Sequence, residues 1–314
     1  MRVASLLPSA TEIVCAVGGR DDLVGISHEC DYPSDVAGLP ILTRVRRELP
    51  SRSGDIDRAV REILVDALTV YSLELERLEA VNPEVIVTQD LCDVCAVSVD
   101  DVKAGLNELS KGEVRLVSCS PTRVTDVWND VRRVGEALGR AKQGEEAASG
   151  LEARLAALGE RTRKLSSTPS VLTVEWIDPI MVGGTWMPEL VEAAGGRALV
   201  TEPGQHAPTL SLEELGELEP DVVLIKPCGF DLERSARELE TLTRTLPWPK
   251  WRAIREGRVF LADGNAYFNR PGPRLVESAE ILAACLHPRD CSDLVERHAE
   301  AVRRITPGAA LEGL

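Results

Sequence analysis

Cys92-Asp-Val-Cys95 is the one place in this chain where two thiols stand three residues apart. At that spacing and at a helix entrance, two thiolates can face one metal ion, and the positive end of the helix favours their deprotonated form. A structural zinc site shows a second matching pair. None is present, and the residues that would complete a site are His28, Cys30 and Cys228, each alone in its segment. Three chemistries stay open: a metal ion or iron-sulfur cluster held by Cys92, Cys95, Cys228, Cys30 and His28, a redox or thiol-reactive pair, and reduced thiols lining a pocket. Cys15, Cys119 and Cys285 have apolar or strand-end neighbours and read as core packing, while Cys291 falls in a polar stretch.

Aromatic and acidic residues mark a second group. Trp176 and Trp186 flank the Gly183-Gly184 turn and read either as core aromatics or as a flat apolar wall for a planar ligand. Glu175 follows the buried-type run Val171–Val174 directly, so it needs a partner: a ligand, Arg270 or Arg274. No nucleophile, base and orienting group line up into a reaction, so no enzymatic activity is assigned.

These residues must be positioned by strands and helices in alternation. Residues 2–7, 23–27, 85–88 and 114–117 read as strands of a first lobe, with a capping box at Ser9-Ala-Thr-Glu12 opening its first helix. Helical periodicity covers 55–70 and 99–110, and from Val124 to about Lys164 the chain reads as one very long helix or two in series. Strands at 171–174, 222–225 and 259–262, a helix at 188–194 and a terminal helix make a second lobe, with His287 and His298 expected in solvent. Strands alternating with helices predict α/β lobes with mostly parallel sheets, here 1–120 and 166–314, joined by a connector over 121–165 that acts as a stiff spine.

The two lobes are written alike. Glu12-Ile-Val-Cys-Ala-Val-Gly-Gly-Arg20 returns as Glu189-Leu-Val-Glu-Ala-Ala-Gly-Gly-Arg197, and Leu75-Glu76 with Pro83-Glu84-Val85 returns as Leu212-Glu213 with Pro220-Asp221-Val222. Ligands of parallel sheets sit outside the carboxyl ends of the strands. That rule collects His28, Glu29, Cys30, Asp90, Cys92 and Cys95 from one lobe, and Glu175, Trp176, Trp186, Cys228, Phe230, Asn269 and Arg270 from the other. The expectation is one interlobe cleft. Glu76 and Glu213 occupy equivalent places, either as first-turn carboxylates that suit the helix dipole or as a matched pair for a partner with basic sockets.

With 36 basic and 51 acidic residues the net charge is −15, which disfavours nucleic acid and anionic lipid. No run approaches the roughly 20 apolar residues of a membrane span. Met1–Glu12 carries no apolar leader core, so the chain as written reads as cytoplasmic.

Ser5-Leu-Leu-Pro-Ser-Ala-Thr-Glu12, Gly25-Ile-Ser-His-Glu-Cys-Asp-Tyr-Pro33, the repeated Leu-Glu and Pro-Glu/Asp-Val segments, the long connector and Asn269-Arg-Pro-Gly-Pro-Arg274 resemble the cobalamin-binding branch of the ABC-transporter substrate-binding proteins. That branch shares its helical spine with siderophore binders, and the resemblance spans almost the whole chain. It implies a class III periplasmic-binding-protein-like fold, cobalamin or another corrinoid or metal chelate as ligand, and an ABC permease docked through Glu76 and Glu213. It also puts Glu29 and Ala207 where the family places pocket aromatics. The alternative is a cytoplasmic metal- or iron-sulfur-binding protein, or an enzyme, that uses the cleft cysteines.

Overall fold

Short runs of Val, Ile and Leu bounded by turn residues become parallel strands, because branched side chains pack well on a pleated surface covered on both faces. The computed structural model describes residues 1–46, 48–65, 70–89, 102, 114–247, 250–308 and 310–314. Contacts divide the chain into two units that interleave along the sequence. The first comprises Met1–Pro50, Arg58–Pro121 and Thr125–Glu152, and the second comprises Ser51–Asp57, Thr122–Val124 and Ala153–Leu314.

In the first unit, β1 (Val3–Ser5), β2 (Leu23–Gly25), β5 (Val85–Gln89) and β6 (Arg115–Cys119) form a four-stranded sheet in the order β2-β1-β5-β6, parallel throughout. A separate antiparallel pair, β3 (Thr43–Val45) and β4 (Tyr71–Leu73), joins Thr43 to Leu73 and Val45 to Tyr71. Sequence reading left both stretches as loop or helix end, since three-residue strands carry too few side chains to show alternation. The first helix starts earlier than its supposed capping box: it spans Pro8–Ala16 with proline in its first turn and no side-chain cap. Ser9, Thr11 and Glu12 are buried inside it, where Thr11 Oγ1 donates to Ser5 Oγ at 2.8 Å.

The expected helix over 55–70 is found as Ser53–Val65, and of the helix expected at 99–110 only Val102 is described, as helical and buried. The connector is two helices, Val124–Ala137 and Ala141–Thr162. Arg132 on the first reaches Glu145 at 2.8 Å and Glu152 at 2.9 Å on the second, so the chain turns back on itself at Leu138-Gly139-Arg140. The 22-residue second helix is about 33 Å long at 1.5 Å per residue.

In the second unit, β7 (Ser170–Trp176), β9 (Arg197–Ala198), β10 (Val222–Ile225) and β11 (Val259–Ala262) are parallel, with β7 between β9 and β10 and β11 beyond β10. β8 (Met181–Val182) is antiparallel to β7, and β12 (Val302–Ile305) and β13 (Leu311–Glu312) extend the other edge antiparallel. Leu172 and Val174, Val223 and Ile225, and Val259 and Leu261 line one core with Leu215, Leu242 and Trp251. The helix Leu275–Leu286 is buried along almost its whole length.

The strand order β9-β7-β10-β11 matches β2-β1-β5-β6, so the sequence repeat is a structural repeat. The glycine that closes the first helix in each copy, Gly18 and Gly195, adopts φ of +76° and +80°, a region open to glycine at little cost. The terminal region differs from expectation. β12 and β13 follow the region expected to end in a terminal helix, and both histidines expected in solvent are buried: His287 Nε2 lies 3.2 Å from Gly195 O and His298 Nε2 lies 2.9 Å from Glu280 Oε2. Cys291 is buried as well.

Candidate functional site

Four loops leave the carboxyl ends of the parallel strands in the second unit. Glu175 and Trp176 end β7, and Lys226-Pro-Cys-Gly-Phe230 follows β10. In the sequence Lys226 is only the first residue of the loop after β10, yet it organises this rim. Its side chain is 0% exposed, and its ammonium lies 2.8 Å from Glu175 Oε2, whose side chain is 28% exposed. The same ammonium donates to Asn269 Oδ1 at 2.7 Å. Asn269 Nδ2 donates to the carbonyls of Lys226 and Gly264, both at 2.9 Å, which fixes the orientation of the amide. Glu175 thus finds Lys226 and not Arg270 or Arg274. A buried ammonium needs such partners because an unpaired charge away from water is costly.

Around this network, Trp176 stays partly exposed and meets the Phe230 ring edge-on at 5.3 Å. Phe230 is itself buried, with the Arg234 guanidinium 3.9 Å over its ring, so it backs Trp176 and does not line the rim. Trp186 is buried too, and its indole N–H donates to Phe268 O at 2.8 Å; it holds the 263–274 loop and offers no wall to a ligand. Cys228 is half-buried, its N–H donating to Glu175 O at 3.1 Å. Arg270 is buried and donates to Asn265 Oδ1 at 3.0 Å. Burial raises the Asp263 pKa, against the backbone N–H groups of Ala266 and Asn265 that favour its carboxylate.

The first unit presents a polar cluster after β2. His28 Nδ1 lies 2.7 Å from Thr43 Oγ1, which donates to Ser27 Oγ at 3.0 Å. Tyr71 OH donates to Glu29 Oε1 at 2.8 Å, and its ring stands 5.1 Å from that of His28. Desolvation at the packed edge of His28 lowers its pKa, with Glu29 pulling the other way. Cys30 Sγ lies 3.1 Å from Thr11 Oγ1. Asp90, Cys92 and Cys95 lie outside the described residues.

Residues 3–266 match the family model described as periplasmic binding protein. The chain belongs to that family. Among curated relatives, a vitamin B12-binding protein of Vibrio parahaemolyticus serotype O3:K6 is 22% identical over 299 residues, 91% of this chain and 88% of that protein. The uncharacterized ABC transporter substrate-binding lipoprotein YvrC of Bacillus subtilis strain 168 is 21% identical, covering 91% of this chain and 80% of its own length. Among solved structures, the apo periplasmic heme-binding protein RhuT from Roseiflexus sp. RS-1 superposes with a TM-score of 0.69 at 22% identity, over 92% of this chain and 98% of that one. The periplasmic vitamin B12-binding protein BtuF of Vibrio cholerae gives 0.63 at 18% identity, over 91% and 96%. At these identities the structural likeness concerns the fold.

As a periplasmic binding protein, the chain shows α/β architecture in both units, while Cys92 and Cys95 of the expected metal set lie outside the described residues. Among the described residues no group of three or more His, Cys, Asp or Glu is arranged to hold a metal ion, and His28 and Cys30 are bonded to Thr43 and Thr11 instead. Glu29, where family resemblance expects an aromatic, accepts the hydroxyl of Tyr71 from β4. Among the described residues no helix is long and apolar enough to cross a membrane. The signal that would have revealed Lys226 is a charged residue directly after four strand residues of fully buried type; its partners, 51 and 43 residues away, carry no local mark.

Proposed function

We infer that this chain is the substrate-binding component of an ABC importer and takes a corrinoid, or a related metal-chelate macrocycle, at loops leaving the carboxyl ends of its parallel strands. The observation that carries the reading is the repeated four-strand order, whose copies β2-β1-β5-β6 and β9-β7-β10-β11 present polar and aromatic loops at the same strand ends. Curated relatives named as vitamin B12-binding proteins favour a corrinoid over other small molecules. The partly exposed indole of Trp176, braced by Phe230, suits the flat apolar face of such a ring. Titration of the purified protein with cyanocobalamin is expected to quench tryptophan fluorescence and saturate at one equivalent. Trp176→Ala should weaken binding by about tenfold, as expected for losing one aromatic contact of roughly 1 kcal/mol or more. No response to cyanocobalamin or any other corrinoid would remove that ligand.

Glu76 and Glu213 suit the role of permease contacts. Each is exposed in the first turn of a short helix, Leu75–Val81 before β5 and Leu212–Glu217 before β10, and Leu212 beside the second is exposed as well. Matched carboxylates of this kind set docking register and encounter rate against basic sockets. With the cognate permease reconstituted in vesicles, Glu76→Ala with Glu213→Ala should reduce ligand-dependent ATP hydrolysis at least fivefold, on the order of 1 kcal/mol. Ligand affinity of the free protein should stay unchanged. An ATPase response equal to that of the unaltered protein would rule out this docking role.

A further inference from the structure

We propose that Glu175 selects the ligand by its periphery, accepting an N–H from an amide-bearing macrocycle and rejecting the same ring when it carries carboxylates; this rests on the corrinoid reading above. The starting point is how completely the far side of this carboxylate is committed. Oε2 receives the Lys226 ammonium at 2.8 Å, and that ammonium is held from the other side by Asn269 Oδ1 at 2.7 Å. The Asn269 amide cannot rotate to release it without giving up the Lys226 and Gly264 carbonyls. At the backbone, Lys226 N donates to Val174 O at 2.8 Å and Cys228 N to Glu175 O at 3.1 Å, so both ends of the pair are anchored. Among the described residues, Oε1 has no hydrogen-bond donor. The result is an acceptor fixed in direction, partly open to solvent, and next in the chain to the partly exposed Trp176.

The positive charge of Lys226 is not offered to a ligand. It is fully buried behind Glu175, and the nearby guanidinium groups are engaged: Arg270 bonds Asn265, and Arg234 lies over Phe230. Asp178, whose carbonyl accepts the Trp176 indole N–H, and Asp231, which caps the helix Leu232–Arg237, add negative charge to the same rim. An amide N–H meeting a fixed carboxylate makes a charge-assisted bond. A ligand carboxylate there meets like charge as water is displaced, and a site built to receive an N–H discriminates strongly against an analogue that lacks it.

The test compares cyanocobalamin, whose corrin periphery carries amides, with the corrin whose peripheral amides are hydrolysed to carboxylates, by titration of the full chain and of Glu175→Gln. The unaltered protein should prefer the amide ring by at least about tenfold, the scale of one hydrogen bond to a charged group. Glu175→Gln should erase most of that preference by gaining affinity for the carboxylate ring. The double variant Glu175→Gln, Lys226→Met removes both charges together and gives the same readout if the single variant does not fold. A role confined to neutralising Lys226 would change the melting temperature and leave the ratio of affinities alone. Equal affinity of the unaltered protein for both rings, or an unchanged preference in the variants, overturns the selection role while the corrinoid reading stands. Binding of neither ring overturns both.

Discussion

Replacing Gly264 by alanine is expected to destabilise the second unit by about 3 kcal/mol, at the upper end of what overpacking costs. A Cβ there would fall inside the contact distance of the Pro227 carbonyl oxygen and 2.7 Å from the Lys226 carbonyl carbon. These are backbone atoms with no rotamer to yield. Gly264 cannot move aside freely either, since its N–H donates to Phe230 O at 2.9 Å and its carbonyl accepts from Asn269 Nδ2. Displacing it would disturb Asn269 and then the Lys226–Glu175 pair, so ligand affinity should fall along with stability. Thermal unfolding should show a drop on the order of 10 °C. Gly308→Ala, where an added Cβ meets nothing closer than 3.9 Å, should stay within about 0.5 kcal/mol. Equal melting temperatures for the two variants would show that the approach of these loops is looser than described.

Acid should weaken this protein through Glu280. Its carboxylate, buried on the helix Leu275–Leu286, accepts from His298 Nε2 at 2.9 Å and Arg154 Nη2 at 3.1 Å, with Arg297 at 3.4 Å. Burial alone would raise its pKa, but the hydrogen bonds and charges of His298 and Arg154 outweigh it and hold the group at about 2, below the ordinary 4.5. A carboxylate whose pKa is depressed on folding stabilises the native state above its unfolded pKa, and loses that contribution as pH falls toward the folded value. The window therefore runs from about pH 5 down to about pH 2, and the full contribution is on the order of 3 kcal/mol. Urea unfolding of the unaltered protein and of Glu280→Gln should differ by that order at pH 6, and by less than half as much at pH 3. An unchanged gap between the two pH values would sink this account.

How far the chain could be read in advance depended on the range of the interaction involved. Val222–Ile225 and Val259–Ala262 were legible as strands because four consecutive buried-type residues before a breaker leave little choice, and the repeat at Glu12 and Glu189 announced two copies of one architecture. The capping box at Ser9 misled because the same residue types also bond outside a cap, as Thr11 inside the helix does with Ser5 at the end of β1. The strand pair β3–β4, three residues each, stayed hidden because its stability comes from pairing and not from pattern. His298 looked solvated in a charged stretch, yet Glu280, 18 residues earlier on a buried helix, draws it inside. Trp186 illustrates the same limit: its spacing from Trp176 suggested a shared wall, but the Phe268 carbonyl had already claimed its N–H.

Taken alone, the order of residues determined the alternation of strands and helices, the internal duplication and the loops at the carboxyl ends of the strands, since periodicity and turn chemistry act over a few neighbours. Which polar groups in those loops would meet one another was decided only by the tertiary structure. Lys226, Glu175 and Asn269 meet because three separate segments converge on one rim, and the cost of leaving an ammonium unpaired in the interior makes that convergence specific.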